Sequence, residues 1–411
     1  MRNEIDKLMQ AAHVDALMVV GAAQHNPAMV YFTGVRHLTQ ADLIKKYGEQ
    51  AIVFHGPMER DEAAKSGLIT RSYNDYPLGP LLKQTNGDRF QATVLRYQHM
   101  LSDAGVTTGK VMLYGEAAVG NTFSLIKALE KSMPGLEFSG DLDGTVLPQA
   151  MMTKDLDEIE HIRQMGKITT EVVGMTADYL TSFHTRGGIL VKSDGEPLRI
   201  GDIKHQINLW LAERGAENPQ DTILSIGRDA GVPHSSGNPA DPVALGQTIV
   251  FDIYPCEAGG GYYYDFTRTW CLGYASDKSL ALYEEVRTVY QQILRGMKVN
   301  ESCSTFQRRT CELFEAHGHP TIQSQPETVN GYVHSLGHGV GLNIHERPFS
   351  GMTANPGDIL APGVVFTVEP GLYYPDQGLG IRLEDTVWVK PDGQIEVLAP
   401  FPMELVLPVQ N

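Results

Sequence analysis

Cysteine is scarce in this chain: Cys256, Cys271, Cys303 and Cys311 are the only four in 411 residues, and no two form a Cys-x-x-Cys pair. That excludes a disulfide framework and a thiolate zinc site, and predicts free thiols in a reducing cytoplasm. Long apolar runs are absent too. No stretch reaches the roughly 18 residues of a membrane span. The opening Met1-Arg2-Asn3-Glu4-Ile5-Asp6 lacks the apolar core of a secretory signal. Positive charge is in deficit, with 33 Lys and Arg against 49 Asp and Glu, a formal net charge of −16. An acidic surface repels phosphate backbones and anionic lipid, so neither nucleic acid nor membrane is an expected partner. Three catalytic signatures are missing: the His-Glu-x-x-His zinc motif, the Walker phosphate loop and the Gly-x-Ser-x-Gly nucleophile elbow.

What is present falls into two parts. Up to about residue 150, short apolar runs alternate with helical patterns. Residues 15–20, 51–54 and 111–115 read as strands, and 121–131 reads as a helix. This alternation predicts an α/β domain over residues 1–150. Asp157-Glu158-Ile159-Glu160-His161-Ile162 then opens a helix with its acids in the first turn, where the helix dipole favours them. The second domain, 151–411, is expected to carry helices over 203–214 and 278–297. Its expected strands are 247–255, 262–272, 364–369 and 381–389.

Chemistry concentrates after residue 230. Val250-Phe251-Asp252-Ile253-Tyr254 and Tyr264-Asp265-Phe266-Thr267-Arg268 are strand-like runs, each with an acid inside, and Gly259-Gly260-Gly261 lies between them. They read as an antiparallel hairpin turning near 258–259, which sets Asp252 opposite Asp265 on one face, about 4.5–5.5 Å apart at Cβ. His334-Ser335-Leu336-Gly337-His338-Gly339-Val340-Gly341 continues to His345, interleaving histidine with small residues. Val365-Phe366-Thr367-Val368-Glu369 ends a strand on an acid, stopped by Pro370-Gly371. In the run Gly380-Ile381-Arg382-Leu383-Glu384, strand alternation puts Arg382 and Glu384 on one face. A lone acid in a strand ordinarily faces water, and a lone histidine ordinarily packs. Four acids in strand contexts beside a glycine-flanked histidine form a different pattern. Buried like charges cost several kcal/mol each unless a cation sits among them. Oxygen donors with one imidazole suit Mn²⁺, Fe²⁺, Co²⁺ or Zn²⁺, and four carboxylates balance two divalent ions.

At these residues the sequence resembles the pita-bread metallopeptidases, which include methionine aminopeptidase, aminopeptidase P and Xaa-Pro dipeptidase (prolidase). The resemblance implies an α+β fold, a pita-bread catalytic domain preceded by a smaller α/β creatinase-like N-terminal domain. Segments such as Met29-Val30-Tyr31-Phe32-Thr33-Gly34 carry the likeness of that first domain, and its length points to the prolidase and aminopeptidase P branch. The implied metal ligands are Asp252, Asp265, His338, Glu369 and Glu384. They would hold two divalent ions, manganese first, with cobalt, zinc or iron as alternatives.

The implied reaction is hydrolysis of Xaa-Pro bonds in short peptides by a metal-bridging hydroxide. Glu369 would shuttle the proton, and His345 would stabilise the oxyanion or hold the substrate. His234 would position the prolyl end, and Arg382 would orient Glu384 or bind substrate. Arg347 is read as a surface arginine, with capture of a substrate carboxylate as the other reading. A homodimer is implied by the resemblance alone. The family pattern Asp-x-Gly is Asp252-Ile253-Tyr254 here, and the connection to Asp265 is about two residues longer than usual. That departure leaves open a non-peptidase hydrolase or lyase on the same fold. A non-catalytic scaffold is the rival of another class, against which the intact ligand set argues.

Overall fold

In the computed structural model, residues 4–353, 355 and 357–409 are described. The chain divides into two compact units, Met1–Met151 with Gly259–Gly261, and Met152–Ala258 with Tyr262–Asn411. Among the described residues no helix is long and apolar enough to cross a membrane.

The first unit is built on a six-stranded mixed sheet in the order Ile69–Ser72, Ile52–His55, Ala41–Lys46, Ala16–Val20, Gly109–Gly115, Leu136–Ser139. The strand Ala16–Val20 is buried along its whole length. It pairs antiparallel with Ala41–Lys46 on one side and parallel with Gly109–Gly115 on the other. A central strand covered on both faces has no polar side, which is why Ala16-Leu17-Met18-Val19-Val20 reads as an unbroken apolar run. The neighbouring Ala41–Lys46 escapes the sequence pattern because it buries Asp42 and Lys45. Both are satisfied. Asp42 accepts from the Tyr73 and Tyr97 hydroxyls at 2.7 and 2.9 Å, and Lys45 donates to Asp6 at 2.6 Å.

The second unit begins on the helix Leu156–Thr181. Asp155 and Glu158 form a reciprocal capping box at its start, and Ile159, Ile162, Met165, Val172 and Val173 form its buried stripe. Two sheets carry the acids. One has the order Ile223–Ile226, Thr248–Ile253, Phe266–Leu272, Val406–Leu407. The other has the order Glu346–Phe349, His338–Gly339, Val365–Val368, Asp385–Val389, Ile395–Val397. The expected strand over 381–389 is two strands, Leu379–Arg382 and Asp385–Val389. The ladder breaks because the Glu384 N–H leaves it to donate to the Thr267 carbonyl at 3.0 Å, tying the second sheet to the first.

A buried ion pair sits beside that crossing. Arg268, 1 % exposed, donates to Asp385 at 2.9 Å and to the carbonyls of Glu384, Phe401 and Pro402 at 2.8–3.0 Å. The Tyr290 hydroxyl donates to the other Asp385 oxygen. Removing the carboxylate strands a buried guanidinium. Asp385→Ala is therefore expected to destabilise the second unit by about 3–5 kcal/mol. Denaturant unfolding checks this, and a loss below about 1 kcal/mol would contradict the assignment.

Candidate metal centre and active site

Thr248–Ile253 and Phe266–Leu272 are antiparallel, but Asp252 pairs with Thr267 and Ile253 with Phe266. The expected pairing of Asp252 with Asp265 is thus corrected by two residues. The bridge between Cys256 and Tyr263 keeps the same register, so the turn centres on Gly259-Gly260. Because the shift is even, both acids stay on one face, as diagonal neighbours about 7–8 Å apart in an ordinary sheet.

His338 arrives from the second sheet. Its Nδ1 lies 3.0 Å from the Gly339 carbonyl oxygen, so Nδ1–H donates there and Nε2 keeps its lone pair. That Nε2 is 3.5 Å from Asp265 Oδ2 and 3.5 Å from Glu369 Oε1. One donor atom from each of Asp265, His338 and Glu384 lies within 4.8 Å of the others, and all three residues are buried. The glycines around His338 allow this approach. A Cβ at Gly337 would fall 2.0 Å from the Thr367 carbonyl oxygen, and one at Gly339 would fall 2.1 Å from that of Arg347.

Asp252 is held differently. Arg382, 2 % exposed, donates to its Oδ2, to the Tyr373 hydroxyl at 2.8 Å, and to the Pro233 carbonyl at 3.1 Å. Arg382 was expected to orient Glu384 or to bind substrate; its direct carboxylate partner is Asp252, and it reaches Glu384 through Thr267. Thr267 serves Glu384 instead. Its hydroxyl donates to Glu384 Oε2 at 2.6 Å and accepts from Arg382 Nε at 3.3 Å. Thr367 supports Glu369 in the same way, donating to Oε1 at 3.3 Å while accepting from the His338 N–H at 3.0 Å.

Eight residues singled out in the sequence, Asp252, Asp265, His338, Glu369, Glu384, His234, His345 and Arg382, line one cavity of about 450 Å³. The rings of His338 and His345 are 4.3 Å apart. The loop carrying His345 is fastened through Glu346, which accepts from Lys154 at 2.7 Å and from the Asn343 N–H at 2.9 Å. Arg347 is not a surface residue; it is buried, and its Nε donates to Asp358 at 2.7 Å. His334, the first histidine of the glycine-rich run, also lines the cavity, and its Nε2 lies 2.9 Å from the hydroxyl of Tyr373, a residue the sequence reading missed and one that also meets Arg382. The available signal was the Tyr373-Tyr374 pair following Glu369-Pro370-Gly371.

The electrostatics are strained in the way a cation relieves. Burial, then Asp252 and Glu369, pushes Asp265 well above the usual carboxylate range. Burial, then Asp265, does the same to Glu384. Burial raises Glu369 to about 8, with Arg382 opposing and Asp252 reinforcing the rise. Burial lowers His338 to about 3, which leaves the imidazole neutral, as a ligand must be. Asp252 Oδ1 and Glu384 Oε1 are buried with no hydrogen-bond partner among the described residues. Asp265, His338 and Glu384 bring carboxylate oxygens and a bare imidazole nitrogen close enough together to hold a hard divalent ion.

Thr267→Val keeps shape but removes the donor to Glu384. A lost supporting hydrogen bond of this kind typically weakens metal affinity about 10–100-fold. Titration calorimetry with Mn²⁺ is expected to show that loss, and an unchanged affinity would contradict the role given to Thr267.

Comparison with known proteins agrees with this geometry. The Xaa-Pro dipeptidase of Pyrococcus furiosus is 26 % identical over 273 residues, 66 % of this chain and 70 % of that protein. The fold matches a dipeptidase structure from Pyrococcus horikoshii with a TM-score of 0.76 at 19 % identity, covering 99 % of both chains. It also matches the X-Pro aminopeptidase of Thermotoga maritima with a TM-score of 0.75 at 22 % identity, over 98 % of this chain and 100 % of that one. The chain therefore has the pita-bread fold. The profile of metallopeptidase family M24 matches residues 160–391, more than half of the sequence, and the protein belongs to that family.

Proposed function

We propose that this metallopeptidase is a dinuclear hydrolase that cleaves Xaa-Pro bonds in dipeptides or short peptides. The observation that carries the reading is the convergence of four carboxylates, one bare imidazole nitrogen and Arg382 on a single cavity of about 450 Å³. A cavity of that size suits a short peptide.

Asp252, Asp265, His338, Glu369 and Glu384 would hold two divalent cations, manganese first, which supply a Lewis acid and lower the pKa of water. Around them the protein's own groups divide the work. Glu369 accepts a proton from the attacking water and passes it to the departing prolyl nitrogen. His345, kept neutral chiefly by burial, donates to the oxygen that gains charge at the scissile carbonyl. His234 bounds the prolyl end of the cavity. Arg382, spanning Asp252 and Tyr373, fixes one ligand and one wall at once. Proline matters because its nitrogen carries no hydrogen and its ring fixes φ, so a site shaped for it gains selectivity over general peptidases. The same reading takes the protein as a cytoplasmic homodimer, and the four buried, unbridged thiols fit a reducing compartment.

The test is to offer Ala-Pro, Met-Pro, Ala-Ala and Ala-Pro-Ala to Mn²⁺-loaded protein and follow the amino acids released. Preferential cleavage next to proline is expected. Equal hydrolysis of Ala-Ala would remove the proline claim, and no hydrolysis at all would redirect the assignment to a small-metabolite hydrolase or lyase. In the same assay Glu369→Gln is expected to lower kcat by about 10²-fold or more, the scale of a lost acid–base group. A kcat within a few-fold of wild type would refute the shuttle role.

A further inference from the structure

Tyr254 follows the strand Thr248–Ile253 directly, two residues after Asp252. The consequence for the cavity follows from the register. Asp252 pairs with Thr267, and the bridge between Cys256 and Tyr263 continues that register, so Tyr254 falls opposite Asp265. Residue 254 shares its face with Asp252, two positions earlier in the strand. Its side chain lines the same cavity as the acids. The ring is half-buried and packs against Ile223, Ala230 and Val250, which fixes it in place. No hydrogen-bond partner of its hydroxyl is found among the described residues.

The rings of His338 and His345 lie 4.3 Å apart, tilted at 57°, and His234 and His334 line the same cavity. By register Tyr254 stands opposite Asp265 and two residues beyond Asp252, so it borders the acidic end of the cavity. The residue before proline carries the ammonium of a dipeptide, which the acids attract, so its side chain meets the Tyr254 side.

We infer that Tyr254 is a specificity-determining residue: its ring is the wall that limits the size of the side chain accepted immediately before proline. This rests on the proline-directed reading above. A fixed aromatic ring takes up space on that side of the cavity, so Gly-Pro and Ala-Pro are accepted and Leu-Pro and Phe-Pro are hindered. The ring, not the hydroxyl, supplies the discrimination.

The experiment measures kcat/KM for Gly-Pro, Ala-Pro, Leu-Pro and Phe-Pro with Mn²⁺-loaded wild type, Tyr254→Phe, Tyr254→Ala and Tyr254→Gly, alongside Mn²⁺ content and Tm for each. Tyr254→Ala and Tyr254→Gly are expected to raise the Leu-Pro to Gly-Pro ratio by about 10-fold or more, the scale on which a hydrophobic pocket discriminates size. Tyr254→Phe is expected to keep the wild-type ratio within about twofold. An unmoved ratio in the Ala and Gly variants, with metal and Tm retained, would overturn the inference. So would a Phe variant whose ratio moves as far as the Ala variant's, or Ala and Gly variants that no longer bind Mn²⁺. Wild-type protein that cleaves none of the four dipeptides would instead overturn the proline-directed reading, and this inference with it.

Discussion

Four carboxylates on one cavity, three of them buried, are the constraint around which the second unit is arranged. In a low-dielectric interior their mutual repulsion is not screened by water, and the chain supplies one neighbouring guanidinium, Arg382, to offset it. Burial and this repulsion raise Asp265, Glu384 and Glu369 above the usual carboxylate range, a shift that a bound cation would reverse. Asp252 Oδ1 and Glu384 Oε1 are left without protein donors, while their companion oxygens are fixed by Arg382 and Thr267. Each of these two acids is therefore gripped on one side and open on the other, which presets the carboxylate planes before any ion arrives.

Much of this was legible in the sequence, for a physical reason in each case. Thr248–Ile253 and Phe266–Leu272 stand out because their β-branched and aromatic residues make an acid in their midst conspicuous. The glycines beside His338 are read from composition, and the close backbone contacts at Gly337 and Gly339 explain them. What was not legible depends on register and on long-range partners. Periodicity gives the face of a strand residue but not its opposite number, so Asp252 was matched to Asp265 when its partner is Thr267. Two direct partners of Arg382, Asp252 and the Pro233 carbonyl, lie 130 and 149 residues away in the chain, so strand alternation alone could not name them. Thr267 passed as an ordinary strand residue because its role requires knowing that Glu384 crosses between sheets. Arg347 and the strand Ala41–Lys46 share a further reason: their buried charges mimic surface, and only the fold reveals their partners, Asp358, Asp6, Tyr73 and Tyr97.

Fold and activity separate clearly in this molecule. The scaffold matches dipeptidase and aminopeptidase structures almost equally well, so it says little about which peptides are cut. Such choices fall to side chains that leave the scaffold untouched. Tyr254, His234 and His334 line the cavity beside the acids, and substitutions there would alter the cavity while the sheets stay as they are.

The crossing at Glu384 has a consequence for how this unit is assembled. Thr267 and Glu384 are 117 residues apart, and their contact joins strands from two separate sheets. Contacts of such high sequence separation form late, because the entropy of closing the intervening chain must first be met. Bringing the acids together therefore has to meet both that closure entropy and their mutual repulsion. A bound cation, or a proton on the raised carboxyls of Asp265 and Glu384, would lower the second cost, which ties the stability of this unit to what occupies the acid cluster.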